Sequence, residues 1–458
     1  MRFEFIHFAD AHVGTEQYHN ASRYKDFARS YLEVVQRAID LRVKFVFIAG
    51  DLFNSDEIWA MTHDQVYTGL RMLRQAGISV VAVRGNHEKL RGTNRDYLWL
   101  QSLARRNLLI LLDVETGAEG GVSLKPWDTE SHRGGYWDGD GVRIVGLGWQ
   151  GAQTAAAIKG LAEELARLPR EGIEYTVLVA HAGMQGYLPN NLEGGLTSEQ
   201  VAPLEPLVDY LALGHIHLAY QVNRTLPDGT SYPWIFNPGS LDTCAINEWG
   251  WERGYYYVEV DTNAQPKHRA ELRKLASLRP VVSATVKVTE LFNPQALQEA
   301  VKTALLAELE KQRPQSKPIA HVRLIGTLRF DRAALDFSLL EELVKECCDP
   351  LVVLIKDHTS SSCPVDGPIE QEWDPAKLEL DTFKDAWASD VRYRERALAL
   401  AQLTREVKQL LLAETGADGV AAIIRQRYEE LMAGPSPSSG DSVGVLAQRA
   451  ETAGGPAR

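Results

Sequence analysis

Along the first 275 residues, short apolar runs of strand length alternate with longer stretches of helical period. Phe3–Phe8, Phe45–Ile48, Val80–Val83, Val177–Val179 and Leu211–Leu213 read as buried strands, and Ile144–Leu147, Trp234–Phe236 and Tyr255–Val260 add others. Between the first two, Tyr24–Val43 puts Phe27, Tyr31, Val34, Val35 and Ala38 on one helical face. The pattern predicts a layered α/β domain over residues 1–275, a two-sheet β-sandwich flanked by helices.

Past Leu275–Pro280 the rhythm changes. Strand, helix, strand, helix and strand patterns follow at Val281–Val288, Pro294–Lys311, His321–Ile325, Leu335–Cys347 and Leu351–Ile355, a small α/β cap domain over residues 276–360. Ser, Pro and acids crowd Ser360–Pro375, so residues 361–390 are expected to be a linker. Residues 391–433 hold two C-terminal helices broken at Gly416, with Asp418 as a candidate cap. Their apolar stripes are Leu403, Val407, Leu410 and Leu411, then Val420, Ile423, Ile424, Tyr428 and Leu431, which suits a partner-binding segment. Pro, Ser, Gly and Ala dominate residues 434–458, expected to be a disordered tail.

A chain of 458 residues exceeds one ordinary core, in keeping with several domains. Its apolar share of 45% and mean hydropathy of −0.23 describe a globular protein. No apolar run reaches the roughly 18 residues of a membrane span, and Met1–Phe8 enters a strand pattern directly, so a cytoplasmic protein without a leader or membrane association is expected. Cys244, Cys347, Cys348 and Cys363 lack metal-site spacing and read as reduced thiols. The net charge of −12 argues against a dedicated basic DNA-binding module. It leaves a nucleic-acid substrate open, because a metal pair brings about four positive charges of its own. Arg84, Lys89, Arg91 and Arg95 could add to them, although a solvated helix face explains those four equally well.

The chemistry lies in five clusters, each just beyond an apolar strand: Asp10-Ala11-His12, Gly50-Asp51, Gly85-Asn86-His87-Glu88, His181 and Gly214-His215-Ile216-His217. The carboxyl ends of strands are where α/β folds place their sites. Asp10 and His12, two apart, share one side of an extended strand end and suit a divalent ion. Asp51 can bridge two ions, since a carboxylate offers several lone pairs. Asn86, His181 and His215 would serve the second ion and His217 the first; His215 and His217 need a turn to face one way. His87 beside them could stabilise a phosphoryl group or protonate a leaving oxygen, with Glu88 or Asp10 setting its tautomer. Two adjacent cations are what phosphoester hydrolysis uses. Neither a serine or cysteine nucleophile motif nor a Gly-rich loop leading to a Lys is present.

The order D-x-H, G-D, G-N-H-E, H, G-H-x-H resembles the calcineurin-like metallophosphoesterase superfamily. Phe5-Ile-His-Phe-Ala-Asp-Ala-His-Val-Gly, Ala49-Gly-Asp-Leu-Phe, Ala180-His181, Leu213-Gly-His-Ile-His and Asn237-Pro-Gly-Ser further resemble DNA-repair nucleases of the SbcD type. The resemblance implies a metallophosphoesterase fold with a cap domain and two bound divalent metal ions, with Mn²⁺ expected. It implies a first metal on Asp10, His12, Asp51 and His217, a second on Asp51, Asn86, His181 and His215, and His87 as the catalytic histidine. The implied activity is that of a DNA exonuclease and endonuclease working in repair with an SbcC-type coiled-coil ATPase, as a homodimer. A metallophosphoesterase acting on nucleotides or phosphoproteins is the alternative, and a non-catalytic scaffold the remaining one. In one respect the chain departs from some relatives: Asn54 stands where they carry a second functional histidine.

Overall fold

The structure is a computed structural model describing residues 1–88, 99–117, 121–187, 195–361, 375–388, 393, 396–412, 421 and 424–427. Two six-stranded sheets form its centre. The first runs His268–Arg273, Tyr255–Asp261, Arg2–Phe8, Phe45–Ala49, Ser79–Val83, Ile110–Leu111 from edge to edge; the second runs Tyr220–Thr225, Ser231–Asn237, Tyr210–Leu213, Tyr175–Ala180, Val142–Leu147, Tyr136–Gly139.

The near-continuous apolar strands follow from burial on both faces. Phe5, Phe47, Val81 and Val83 of the first sheet meet Ile144, Val177, Val179, Tyr210 and Phe236 of the second in the layer between them. Their strand neighbours Ile6, Phe8, Val46, Ile48 and Val80 point outward under helices α1 (Ala21–Leu41), α2 (Ala60–Gln75) and α3 (Trp99–Arg105). Val145, Leu147, Leu178, Leu211 and Leu213 do the same under α4 (Thr154–Arg167) and α5 (Ser198–Val201). The chain is thus an α/β fold of two sheets flanked by helices. Arg2–Phe8, Phe45–Ala49 and Ser79–Val83 pair in parallel, as do Tyr175–Ala180 and Tyr210–Leu213, so the carboxyl ends within each set emerge together.

His268 is buried between the sheets. It donates from Nε2 to Pro233 O at 3.1 Å and accepts at Nδ1 from the Tyr175 hydroxyl at 2.9 Å, and burial pushes its pKa down to about 4.

Val281–Lys287, Ile319–Leu328 and Val352–Ser361 form a separate parallel sheet, crossed by α6 (Pro294–Gln312) and α7 (Phe337–Cys348). Asn293 and Asp336 cap these helices, accepting from Ala296 N and Leu339 N. Leu297, Val301, Leu305, Leu340 and Val344 cover Val282, Ala284, Ala320, Val322 and Leu324.

Two sequence expectations change here. The third strand continues to Ser361 through pairs such as Thr327↔Ser360, so the Ser-rich start of the expected linker is paired β-structure. The range 361–390 also contains α8 (Pro375–Ala388), held to α9 (Ala397–Leu412) by Trp387 Nε1–H donating to Thr404 Oγ1 at 2.9 Å and by the Lys408–Glu379 ion pair. Met1–Ser362 and Cys363–Arg458 are two compact units. Gly416, Asp418, Val420, Ile423, Tyr428, Leu431 and the tail 434–458 lie outside the described residues. No helix among the described residues is long and apolar enough to cross a membrane.

Candidate metal centre

Asp10 and His12 follow the strand Arg2–Phe8, Asp51 follows Phe45–Ala49, and Asn86 and His87 follow Ser79–Val83. His181 comes directly after Tyr175–Ala180, and His215 and His217 after Tyr210–Leu213 in the other sheet. All eight expected residues meet in one cluster. His12 Nε2 lies 3.2 Å from His217 Nε2, and Asn86 Oδ1 lies 2.8 Å from His181 Nε2 and 2.9 Å from His215 Nδ1. Asp51 Oδ2 sits between the two groups, 3.5 Å from His181 Nε2 and 3.9 Å from His12 Nε2. The Asp10 carboxylate accepts from His215 N at 2.9 and 3.1 Å, and its ligand atom lies within 4.8 Å of those of Asp51 and His181.

The backbone that delivers these groups is unusual. Asp10, His12, Asp51 and His215 have φ of 50°, 45°, 50° and 83°, the left-handed region that non-glycine residues occupy only when their surroundings impose it. A simple strand end, as the alternation of Asp10 and His12 suggested, is therefore not how they come together. Hydrogen bonds from Asp10 N to Gly50 O at 3.1 Å and from His12 N to Asp51 O at 3.0 Å lock the two loops side by side. The glycines of the motifs are there for close approach. A Cβ on Gly50 would lie 2.2 Å from His181 Nδ1, and one on Gly85 would lie 2.0 Å from Asp51 Oδ1.

Around the cluster, acceptors set the tautomers. His181 donates from Nδ1 to Ala49 O at 2.8 Å and His217 from Nδ1 to Glu248 Oε1 at 3.1 Å, so each turns the lone pair of Nε2 inward. His87, exposed at the mouth, donates from Nδ1 to Asn54 O at 2.8 Å, while its own N–H reaches Asp51 Oδ1 at 2.8 Å. Neither Glu88 nor Asp10 orients His87, contrary to expectation. Glu88 is instead buried, accepting from Phe53 N at 3.0 Å and Gly85 N at 2.9 Å, and it ties the second loop to the third. Asn237 donates its amide to Ile216 O at 2.7 Å and Leu218 O at 2.8 Å, clamping both sides of His217. The Trp149 ring centroid lies 4.4 Å from that of His215. Glu248 and the contact of Trp149 were missed from sequence, where neither has a local signal. Arg84 is paired with Asp113 at 3.0 Å, and Lys89, Arg91 and Arg95 lie outside the described residues.

The electrostatics call for a cation. His181 Nε2, an acceptor once Nδ1 is committed to a carbonyl, faces the Asn86 and Asp51 oxygens, so several lone pairs converge with no proton among them. Burial drives the pKa of His181 down, and burial followed by the neighbouring imidazoles does the same to His12, so protons do not relieve the crowding. Burial first and then the charge of Asp51 raise the pKa of Asp10. Clustered carboxylate, amide and imidazole donors fit divalent metal ions, with Mg²⁺-like to Zn²⁺-like preferences open to the mixed set.

Comparison with known proteins agrees with this geometry. Residues 3–219 match the calcineurin-like phosphoesterase family. This stretch is a calcineurin-like phosphoesterase domain. Its fold implies divalent metal ions at the donor cluster just described. A protein of Archaeoglobus fulgidus named DNA double-strand break repair protein Mre11 is 32% identical over 54% of this chain and 51% of its own length. The protein of that name from Methanococcus maripaludis is 25% identical over 54% and 59%, so the chain spans little more than half of these two relatives. The one from Aeropyrum pernix is 25% identical over 83% of this chain and 87% of its own.

Proposed function

We propose that this chain is a two-metal phosphodiesterase that cuts DNA, as exonuclease and endonuclease, in DNA repair. The observation that carries the reading is the convergence of Asp10, His12, Asp51, Asn86, His181, His215 and His217 from both sheets, with His87 beside them. The DNA substrate is favoured by the names of the relatives and by the alignment with the Aeropyrum pernix protein, which extends beyond the phosphoesterase domain.

In this reading Asp10, His12, Asp51 and His217 hold one cation, and Asp51, Asn86, His181 and His215 the other, Mn²⁺ being the expected ion. When bound, the pair supplies Lewis acidity toward the phosphate and an activated water. The chain's own residues do the rest. Asp51, between the two histidine groups, fixes the spacing of the donors, and Ala49 O and Glu248 hold His181 and His217 with their lone pairs inward. His87 donates its Nδ1 proton to Asn54 O, so Nε2 is a lone pair in the neutral ring and a donor in the imidazolium, the form that would bind the phosphoryl oxygens or give a proton to the leaving oxygen. Asn54 thus contributes through its carbonyl where some relatives use a histidine side chain.

A coiled-coil ATPase is the proposed partner, with the unit of α8 and α9 as its contact, in a cytoplasmic homodimer. Purified protein with Mn²⁺ is expected to degrade single- or double-stranded DNA, to lose that activity with EDTA, and to weaken with salt as phosphate contacts release counterions. Cleavage confined to mononucleotides or phosphopeptides would replace this reading with the alternative one.

A further inference from the structure

The phosphoesterase reading leaves a thiol side chain at the cluster unused. The sulfur of Cys244 and one ring nitrogen each of His12 and His217 all lie within 4.8 Å of one another. The two imidazoles already face each other Nε2 to Nε2 at 3.2 Å. That matches the roughly 3.3 Å between two nitrogens on a tetrahedral zinc ion with Zn–N near 2.0–2.1 Å. His12 is 2% exposed and its Nδ1 has no hydrogen-bond partner, so the ring is not held there by protein polar groups. His217 has its Nδ1 committed to Glu248, which directs Nε2 into the same space. The Cys244 backbone is anchored by Gln17, whose amide donates to Cys244 O at 2.7 Å, and its thiol rests against Asp242 O at 3.7 Å.

We propose that His12, His217 and Cys244 form a site for a thiophilic divalent cation of the Zn²⁺ type, overlapping the position assigned to the first catalytic cation, so that zinc displaces Mn²⁺ there. Hard cations take the carboxylate and imidazole donors alone, whereas a soft one recruits the sulfur, releasing the thiol proton to solvent. The proposal rests on the two-metal reading for its placement of His12 and His217.

Cobalt substitution of the full chain separates the two. Co²⁺ bound to wild type is expected to show visible ligand-field bands together with a near-ultraviolet thiolate-to-cobalt band. Cys244→Ser and Cys244→Ala should keep the former and lose the latter. Their zinc affinity, read by chelator competition, should fall by at least the roughly 10–100-fold that losing an outer-shell partner costs, with Mn²⁺ affinity unchanged. In wild type alone, Zn²⁺ but not Mg²⁺ should protect Cys244 from alkylation, read by peptide mass. Ligand-field bands without a thiolate band, or equal alkylation with and without zinc, overturn the thiolate site and leave the cation centre standing. Absence of any bound cobalt overturns both.

Discussion

Glu248 Oε1 accepts the Nδ1 proton of His217 at 3.1 Å, across thirty-one residues of chain. Burial alone would raise the carboxyl's pKa; the hydrogen bonds it accepts from His217 and Ala245 N, with the positive charge of Arg253, outweigh it and hold Glu248 below the usual carboxylate range. A carboxylate can only accept, so His217 is fixed in the tautomer that offers Nε2 to a cation. Glu248→Ala is expected to weaken metal binding by about 10–100-fold while the fold persists. Because the carboxyl is depressed in the folded state, its contribution to stability is present above the unfolded pKa and fades as pH falls. Titration calorimetry with Mn²⁺ checks the first effect, and unchanged affinity would remove Glu248 from the site.

What could be read ahead of the structure divides along a physical line. The strands were legible because burial on both faces writes itself as continuous runs such as Phe45–Ala49 and Tyr175–Ala180. The metal-type residues were legible because they stand directly after those runs. The left-handed backbone at Asp10, His12, Asp51 and His215 was not, since it is imposed by hydrogen bonds between loops distant in sequence. Asn237 has no local signal that separates it from an ordinary strand-ending residue, and its role lies in the contact of its amide with the carbonyls around His217. In α8 the helical signal is present but masked: Leu380, Phe383 and Trp387 recur at helical spacing after Pro375, next to a stretch whose Ser and Pro content reads as a linker.

Asp51 contacts the histidines of both proposed cation groups, at 3.5 Å to His181 and 3.9 Å to His12. Asp51→Asn is therefore expected to abolish phosphodiester hydrolysis and to lower the metal content of a still-folded protein. Elemental analysis alongside a nitrophenyl phosphodiester assay measures both. Near-wild-type turnover would sink the shared-ligand role.

His87 touches the cluster through its backbone N–H to Asp51 and through an edge contact of its ring with His12, centroids 4.7 Å apart, while its Nδ1 is held by Asn54 O. His87→Ala should lower turnover by on the order of 10²–10⁴ and keep its full metal content. Loss of a cation together with activity would make His87 a ligand.

The raised pKa of Asp10 sets a pH dependence. Burial and the Asp51 charge make the metal-free folded state hold the Asp10 proton at pH values where the unfolded chain has released it. Deprotonation is then favoured by unfolding, so the metal-free protein loses stability as pH rises above the unfolded carboxyl value. A bound cation reverses this by favouring the carboxylate, and its binding releases the proton. The gain in Tm on adding Mn²⁺ should thus grow as pH rises above the unfolded carboxyl value, and calorimetry in buffers of different ionisation enthalpy should register proton release. Asp10→Asn should reduce the number of protons released. A metal-induced gain in Tm that is flat with pH would contradict the assignment.

The C-terminal unit bears on the proposed partner. Helix α9 buries Ala397, Leu400 and Ala401, and its Thr404 and Lys408 are engaged by Trp387 and Glu379 of α8. Leu403, Val407 and Leu410, of the stripe expected to meet a partner, are only half-buried, and Leu398 is 50% exposed. An apolar strip left beside a short two-helix packing is suited to lying along a coiled coil. Because α8 and α9 pack on each other, removing residues 391–458 alone would strip α8 of its cover, so the informative deletion begins at Cys363. The remaining Met1–Ser362 contains the whole metal cluster and both sheets of the phosphoesterase domain. It should keep its metal content and its hydrolysis of a nitrophenyl phosphodiester, and lose both pull-down of the ATPase and ATP-stimulated DNA cleavage. Leu403→Asp with Val407→Asp in the full chain should reproduce the loss of pull-down with α8 still in place. A deleted chain that binds the ATPase with full affinity would move the interface to another surface.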